Sequence, residues 1–305
     1  MALRDWIVVY LKGVAMGAAD TIPGVSGGTI ALITGIYERL VAAVAALSPA
    51  PLRHLGRLHT GAGRRDLLDD LAAMDIWFLT VLGAGVATAV VLLSSVMHAL
   101  LVRHPAPINA LFFGLIGASA VVLLEHTPID TPRRALTAVS SFVAAFFLTG
   151  VSGGGGLGHS LTVVFVAGAV ASAAMLLPGI SGAAVLYILG QYAFLTGTLS
   201  RFVDALLALP SPPPTLPRDA AVVVVFLTGV VSGLVSIARL VQRALAVDRA
   251  TTLTGLVALM AGSLRLPVEN IMAETGTVTP AVVAAAAVGV AAVLAVDRLT
   301  TGIHD

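Results

Sequence analysis

The feature of this sequence that most constrains its fold is a succession of long apolar segments with very few charged residues. Ten segments are long and apolar enough to enter a membrane, at 5–20, 25–48, 75–102, 106–125, 134–152, 161–177, 180–199, 219–245, 251–267 and 278–298. Only 11% of the 305 residues are charged, whereas a soluble domain carries about 25%. Such a chain cannot cover itself with a wetted surface, so the sequence predicts an all-α polytopic membrane protein with about eight to ten hydrophobic segments.

Composition also excludes several kinds of chemistry. The chain has no cysteine, which removes disulfides, thiolate metal sites and cysteine nucleophiles. The formal net charge is +1 and the basic residues are scattered through loops, so nothing indicates a nucleic-acid partner. The sequence contains no H-E-x-x-H motif, Walker A motif or metal-ligand cluster. We therefore expect no catalytic residues, metal or cofactor.

Two stretches of the chain repeat each other without a gap. Residues 22–37 read IPGVSGGTIALITGIY, and residues 177–192 read LPGISGAAVLYILGQY. The offset is 155 residues (177 − 22 = 155). The identical pairs are Pro23 and Pro178, Gly24 and Gly179, Ser26 and Ser181, Gly27 and Gly182, Gly35 and Gly190, and Tyr37 and Tyr192. An ungapped match of this length indicates that the chain arose by duplication.

The duplication predicts two membrane repeats, residues 1–152 and 153–305. Each opens with a Pro-Gly-broken hairpin, at 5–48 and 161–199, and continues with three spans. The hairpins are predicted to be re-entrant, with full spanning as the alternative. Each repeat crosses the membrane an odd number of times in both cases, so the second repeat is predicted to be inverted relative to the first, as in many secondary transporters.

The arginines in the loops predict the orientation. With the N-terminus on side one, ten arginines fall on that side and four on the other. The ten are Arg4, Arg53, Arg57, Arg64, Arg65, Arg133, Arg134, Arg243, Arg249 and Arg298, and the four are Arg103, Arg201, Arg218 and Arg265. Cytoplasmic loops carry an excess of basic residues. We therefore expect both termini, and the loop at 49–74 with its surface helix, on the cytoplasmic side of the cell membrane.

The repeated Pro-Gly-(Val/Ile)-Ser-Gly unit breaks a helix inside an apolar segment. Backbone groups freed by a break are tolerated in a membrane only where they are buried in protein or line a wet cavity. A new helix begins after each break, and its unpaired N–H groups form a positive end that suits an anion. Two inverted breaks should meet near the midplane. The predicted substrate-binding positions are Pro23, Gly24, Ser26, Gly27, Gly28, Pro178, Gly179, Ser181 and Gly182. The alternative is that the breaks are kinks for close helix packing.

The first hairpin, unlike the second, carries charges, at Lys12, Asp20, Glu38 and Arg39. A charge inside a membrane helix usually has a partner or a function. Asp20 lies three residues before Pro23 and is predicted to bind substrate and a coupling cation, either a proton or sodium, with Lys12 on the same helix face. Glu38 and Arg39 are added as substrate-binding residues. The alternatives are that Asp20 caps nearby N–H groups or pairs with Lys12, and that Glu38 and Arg39 are interfacial.

Three functions fit a membrane anion site between repeats to different degrees. Residues 24–28 satisfy the G-x-S-x-G pattern, and rhomboid-type intramembrane proteases use a related serine with a histidine on another span. The histidines here lie in loops or near segment ends, and catalysis gives no reason to repeat the serine motif, so a protease is the least favoured function. A transporter of a lipid phosphate and a secondary transporter of a small soluble anion both remain open.

Three stretches resemble the polyprenyl-phosphate translocase family, formerly called domain of unknown function 368. They are GVAMGAADTIPGVSGGTIALITGIYERL at 13–40, AMLLPGISGAAVLYILGQY at 174–192 and LMAGSLR at 259–265. The resemblance implies a transporter that returns undecaprenyl phosphate, the carrier lipid of cell-envelope synthesis, from the outer to the cytoplasmic leaflet. For an archaeal source the lipid would be a dolichyl-type phosphate. The sequence departs from the family pattern at Ala183 and Ala184 of the second motif.

Overall fold

The structure is a computed structural model that describes residues 3–20, 26–57, 59–125, 127, 129–150, 158–208 and 213–301. Helices make up nearly all of these residues. The α-helices are α1 (Leu3–Asp20), α2 (Gly27–Ile33), α3 (Tyr37–Ala46), α4 (Gly61–Ala73), α5 (Ile76–Arg103), α6 (Pro105–Glu125), α7 (Pro132–Thr149), α8 (Leu161–Leu176), α9 (Gly182–Ile188), α10 (Tyr192–Leu207), α11 (Leu216–Val247), α12 (Arg249–Ser263), α13 (Arg265–Thr275) and α14 (Pro280–Thr301). A 3-10 helix covers Ala50–Arg57. No strand occurs in these residues, so the all-α prediction is confirmed.

Several of these helices are long and apolar enough to cross a membrane. Within the described residues, three helical stretches qualify alone, at Pro105–Glu125, Leu216–Val247 and Arg249–Thr275. Two bent pairs qualify only together, α4 with α5 at 60° and α9 with α10 at 109°. The chain is therefore a multi-pass membrane protein. The re-entrant character of the hairpins, the inversion of the repeats and the division at residue 152 remain predictions.

Each Pro-Gly hairpin contains one more break than the sequence analysis predicts. The segments 25–48 and 180–199 are not continuous helices, because α2 and α9 each end after seven residues. The second break falls at Gly35 in one hairpin and Gly190 in the other, with φ of 71° and 67°. Only glycine adopts this left-handed conformation readily. The glycine is identical in the two repeats, which was the available sequence signal for the break.

Glycines bring α1 close against α5. A Cβ at Gly13 would collide with the carbonyl oxygen of Leu82, and a Cβ at Gly17 would lie 2.5 Å from that of Val86. Both partners advance by four residues, so the two helices run parallel. Small residues at such interfaces let helix backbones approach in lipid, where packing rather than water exclusion drives association.

The same arrangement joins α8 and α11 in the second half. A Cβ at Gly229 would collide with the carbonyl oxygen of Phe165, and one at Gly233 with that of Ala169. These helices therefore also run parallel. The recurrence of parallel, glycine-mediated contact in both halves supports the predicted duplication.

The last helices of the two halves are exchanged. Gly114 of α6 packs against the backbone of Ala286 in α14, and Gly262 of α12 packs against the backbone of Phe142 in α7. Helix α6 of the first half is thus covered by α14 of the second half, and α12 of the second half is covered by α7 of the first. The two halves interlock instead of forming separate bodies.

We expect Gly85→Leu to destabilise the protein and Gly83→Leu to leave it nearly unchanged. A Cβ at Gly85 collides with the carbonyl oxygen of Tyr10 in α1, whereas Gly83, on the same helix, has nothing within 4 Å. Overpacking of this kind costs about 1–3 kcal/mol or more. Thermal unfolding of both variants in detergent measures the difference, and equal stability of the two would contradict the α1–α5 packing.

Candidate functional site

The first Pro-Gly hairpin places the short helix α2 in the protein core. Six of its seven residues, Gly27 to Leu32, are buried. Ser26 precedes the helix, is 1% exposed, and accepts a hydrogen bond on its Oγ from the Gly28 N–H at 3.2 Å. The predicted site residues Pro23 and Gly24 lie outside the described residues. The start of α2 is therefore an interior helix terminus that is capped by its own serine.

Asp20, the last residue of α1, lies against the start of α2. Its Oδ1 accepts a hydrogen bond from the Gly27 N–H at 2.7 Å, and a Cβ at Gly27 would lie 2.6 Å from its Oδ2. A carboxylate at a helix N-terminus is favourable, because it faces the positive end of the helix dipole. The expectation of unpaired N–H groups is wrong for Gly27 and Gly28, since Asp20 and Ser26 already bind them.

Lys12 binds the opposite end of the same short helix. Its Nζ donates to the carbonyl oxygen of Thr34 at 2.6 Å, and Thr34 caps the C-terminus of α2. The eight-residue spacing of Lys12 and Asp20 spans about 12 Å of α1, which is about the length of α2. The structure thus places these charges at the two ends of α2, each with the sign that complements the dipole. Because Lys12 binds Thr34 and Asp20 binds Gly27, the alternative pairing of Lys12 with Asp20 would need a shift of the chain or a bridging water.

The described residues of the two Pro-Gly motifs contact each other. Ser26 donates its Oγ hydrogen to the carbonyl oxygen of Met175 at 3.0 Å, near the end of α8. The fully buried Thr29 accepts the N–H of Gly179 on its Oγ1 at 2.9 Å. We call this contact, formed by Ser26, Thr29, Met175 and Gly179, the motif junction. Because the two motifs were predicted to meet, the contact agrees with the sequence analysis.

Glycine is required on both sides of the motif junction. A Cβ at Gly28 would lie 2.7 Å from the carbonyl oxygen of Leu176. Gly179 has φ of 83°, and a Cβ there would lie 2.7 Å from the carbonyl oxygen of Leu259 and 2.9 Å from the Oγ of Ser263. These positions therefore serve close packing, which was the alternative interpretation of the motifs, and large substitutions here would test folding together with transport.

The two motifs are not equivalent in their surroundings. Ser181 caps α9 by accepting the Ala184 N–H at 3.4 Å, as Ser26 caps α2. Pro178 and Gly182 are buried, but the rest of α9 is not, and Tyr187 is 61% exposed. The short helix α2 of the first hairpin is therefore buried in the core, whereas the equivalent helix α9 of the second is partly exposed.

Glu38 and Arg39 are held in ion pairs at the starts of other helices. Arg39 donates to both carboxylate oxygens of Asp75, which precedes α5, at 2.6 and 3.0 Å. Arg249, the first residue of α12, lies 2.6 Å from the Glu38 carboxylate. These pairs fix the start of α3 to the starts of α5 and α12.

The structure does not bring Glu38 and Arg39 together with Asp20. Gly17 of α1 packs against Val86, near the middle of α5, whereas Arg39 pairs at the beginning of α5. Val86 follows Asp75 by eleven residues and Asp20 follows Gly17 by three, so the two levels lie roughly 20 Å apart. The charges of the first hairpin are thus divided between two depths of the bundle.

The sequence analysis missed Thr29, the residue that joins the motifs. The offset of 155 residues pairs Thr29 with Ala184 (184 − 29 = 155), so the repeat contains a hydroxyl in one half and a methyl in the other. That difference was the only available signal, and its meaning depends on Gly179 lying opposite.

We expect Thr29→Val to lower the free energy of unfolding by about 1–3 kcal/mol, because the buried Gly179 N–H loses its acceptor. Thr254→Val is the matched control. Thr254 is equally buried, but its hydroxyl binds the Ala250 carbonyl of its own helix at 2.8 Å. The unfolding temperature should fall in Thr29→Val and change little in Thr254→Val. An equal fall in both variants would show that the Thr29–Gly179 contact contributes no more than an ordinary buried threonine.

Comparison with known proteins assigns the chain to a family. A family model described as undecaprenyl phosphate translocase-like matches residues 16–294. A "Polyprenyl-phosphate transporter" of Vibrio cholerae is 36% identical over 261 residues, covering 85% of this chain and 77% of the relative. One of the same name from Staphylococcus aureus is 29% identical over 194 residues, covering 60% and 61%. No solved structure matches the chain. The chain belongs to the undecaprenyl phosphate translocase-like family.

Proposed function

We propose that this protein transports a polyprenyl phosphate across the cell membrane, and that it returns the lipid from the outer to the cytoplasmic leaflet by alternating access. The lipid is undecaprenyl phosphate in a bacterium and a dolichyl-type phosphate in an archaeon. The observation that carries the proposal is the family match over residues 16–294, because this range contains both Pro-Gly motifs and the helices that hold them. Both termini are proposed to be cytoplasmic.

The phosphate group is proposed to bind at the motif junction. Supporting this are the start of α2, which meets the end of α8 and Gly179 there, and the presence of the Ser26 and Thr29 hydroxyls. In this structure the Asp20 carboxylate accepts a hydrogen bond from the Gly27 N–H. Binding of a phosphate there requires this carboxylate to move or to be neutralised. Uptake of a proton or sodium by Asp20 removes its repulsion of the phosphate, and loss of the cation on the other side promotes release.

The contacts of Ser26 favour a transporter over an intramembrane protease. A serine nucleophile needs its hydroxyl hydrogen bonded to a base. The Ser26 hydroxyl donates to the carbonyl oxygen of Met175 and accepts from the Gly28 N–H. The motif serine thus acts as a helix cap and a link between motifs, and we propose that the protein is not an enzyme.

We expect the purified protein in proteoliposomes to move a fluorescent undecaprenyl phosphate analogue between leaflets, because its site recognises the phosphate. The matching undecaprenol analogue, which has no phosphate, should move no faster than in protein-free vesicles. Quenching of the fluorophore from outside measures the leaflet distribution. Uptake of inorganic phosphate without lipid movement would contradict the proposal and support the alternative, a transporter of small soluble anions.

We expect Asp20→Asn to retain substrate binding but to lose accumulation driven by a proton or sodium gradient. Asparagine keeps an oxygen for the Gly27 N–H and mimics the neutral carboxyl group. Asp5→Asn, which removes a charge from the exposed end of the same helix, is the control. Accumulation with and without an imposed gradient measures coupling. Full gradient-driven transport by a Lys12→Met, Asp20→Asn double variant would show that Asp20 only complements the charge of Lys12.

A further inference from the structure

A lateral groove between α7, α12 and α13 combines apolar side chains with one arginine. Its volume is about 490 Å³, within the range of small-molecule sites. It is lined mainly by Phe142, Phe146, Leu264, Arg265, Val268 and Glu269. Phe142 is 41% exposed and Val268 39%, so the groove is open on the outer face of the bundle, where a membrane helix meets lipid. We call these six residues the Arg265 groove.

Arg265 is held in a fixed orientation in this groove. Its Nε donates to Glu269 Oε1 at 2.6 Å, and one Nη donates to the carbonyl oxygen of Phe146 at 3.0 Å. The guanidinium centre lies 4.6 Å from the centroid of the Phe146 ring. Among the described residues, these contacts use two of the five N–H donors of the side chain. The guanidinium therefore forms a planar, oriented cation beside an apolar wall.

The Arg265 groove lies at the opposite end of the bundle from the Glu38–Arg249 ion pair. Helices α7 and α12 begin together, because Arg133 pairs with Asp248 at 3.4 Å. Arg265 follows Asp248 by seventeen residues (265 − 248 = 17), or about 25 Å of helix. By the predicted orientation this is the outer side of the membrane.

The groove also adjoins the motif junction. Ser263, two residues before Arg265, is 1% exposed and faces Gly179, where a Cβ would lie 2.9 Å from the serine Oγ. Gly179 in turn donates its N–H to Thr29. Two residues, at the break between α12 and α13, therefore separate the partly exposed arginine from the serine that faces the buried contact between the motifs.

We infer that the Arg265 groove receives the phosphate end of the polyprenyl lipid from the outer leaflet before the phosphate reaches the motif junction, an inference that rests on the proposed function. Arginine matches the geometry of a phosphate group with paired N–H donors. Phe142, Phe146 and Val268 offer an apolar wall to the first isoprene units. Glu269 positions the guanidinium and competes with the phosphate for it. The groove thus combines a cation for a phosphate with an apolar wall for a hydrocarbon chain joined directly to it.

The test uses an undecaprenyl phosphate analogue with a diazirine in the isoprene unit next to the phosphate, and the same analogue without the phosphate. In proteoliposomes of the full chain, we expect the phosphate probe to label α7, α12 and α13, the helices that line the groove. Arg265→Gln should reduce labelling by the phosphate probe about tenfold and leave labelling by the alcohol probe unchanged, whereas a folding defect would reduce both. Glu269→Gln should retain or increase phosphate labelling. Arg134→Gln, which breaks a similar i,i+4 ion pair at the other end of α7, should have no effect.

Competition and transport in the same vesicles complete the test. Unlabelled undecaprenyl phosphate should compete for the site, and inorganic phosphate and phosphatidylglycerol should not. Absence of labelling in α7, α12 and α13, an unchanged phosphate preference in Arg265→Gln, or equal competition by phosphatidylglycerol would overturn the inference. Transport of the lipid by the wild type would, in each of these cases, leave the proposed function intact. Absence of lipid transport by the wild type would overturn both.

Discussion

The pairing of backbone groups where helices break is the interaction on which this structure depends. No water is present in the centre of a bilayer to bind a freed N–H or C=O group, so each must find a partner in the protein. Asp20 binds the Gly27 N–H from within the same hairpin. The other partners come from distant parts of the chain: Thr29 binds the Gly179 N–H, and Ser26 binds the carbonyl of Met175. The broken helices are thereby fixed to each other, and the position of one hairpin determines that of the other.

Hydropathy predicted most of the helices, because the length of an apolar run is set by the membrane itself. The Pro-Gly breaks were also readable, since they are local properties of the chain. The sequence did not show which residues become neighbours in the folded protein. Thr29 acquires a role only because Gly179 lies opposite, and Glu38 is distant from Asp20 because Arg249 holds it at the start of α12. The spacing of Lys12 and Asp20 was noticed, but its reason, the length of α2, depends on how α2 lies along α1.

The structure also explains why only one of the two duplicated hairpins carries charge. Helix α2 is mostly buried, and ionic side chains at both ends bind its terminal backbone groups and stabilise it. Helix α9 is partly exposed, with Tyr187 on its surface, and its serine cap suffices among the contacts described for its start. The two hairpins therefore differ in chemistry but share the same breaks, at Gly35 and Gly190.

The exchange of helices between the halves also sets the order in which the protein can be assembled. Helix α6 packs its Gly114 backbone against α14, the last of the described helices to be synthesised. Until α14 has been inserted, this face of α6 meets lipid or the insertion machinery. The first half therefore cannot reach its final packing during its own translation. A defect in the insertion of α14 would therefore disturb the packing of α6 as well as that of the second half. Quality control of this protein would then have to act on the whole chain.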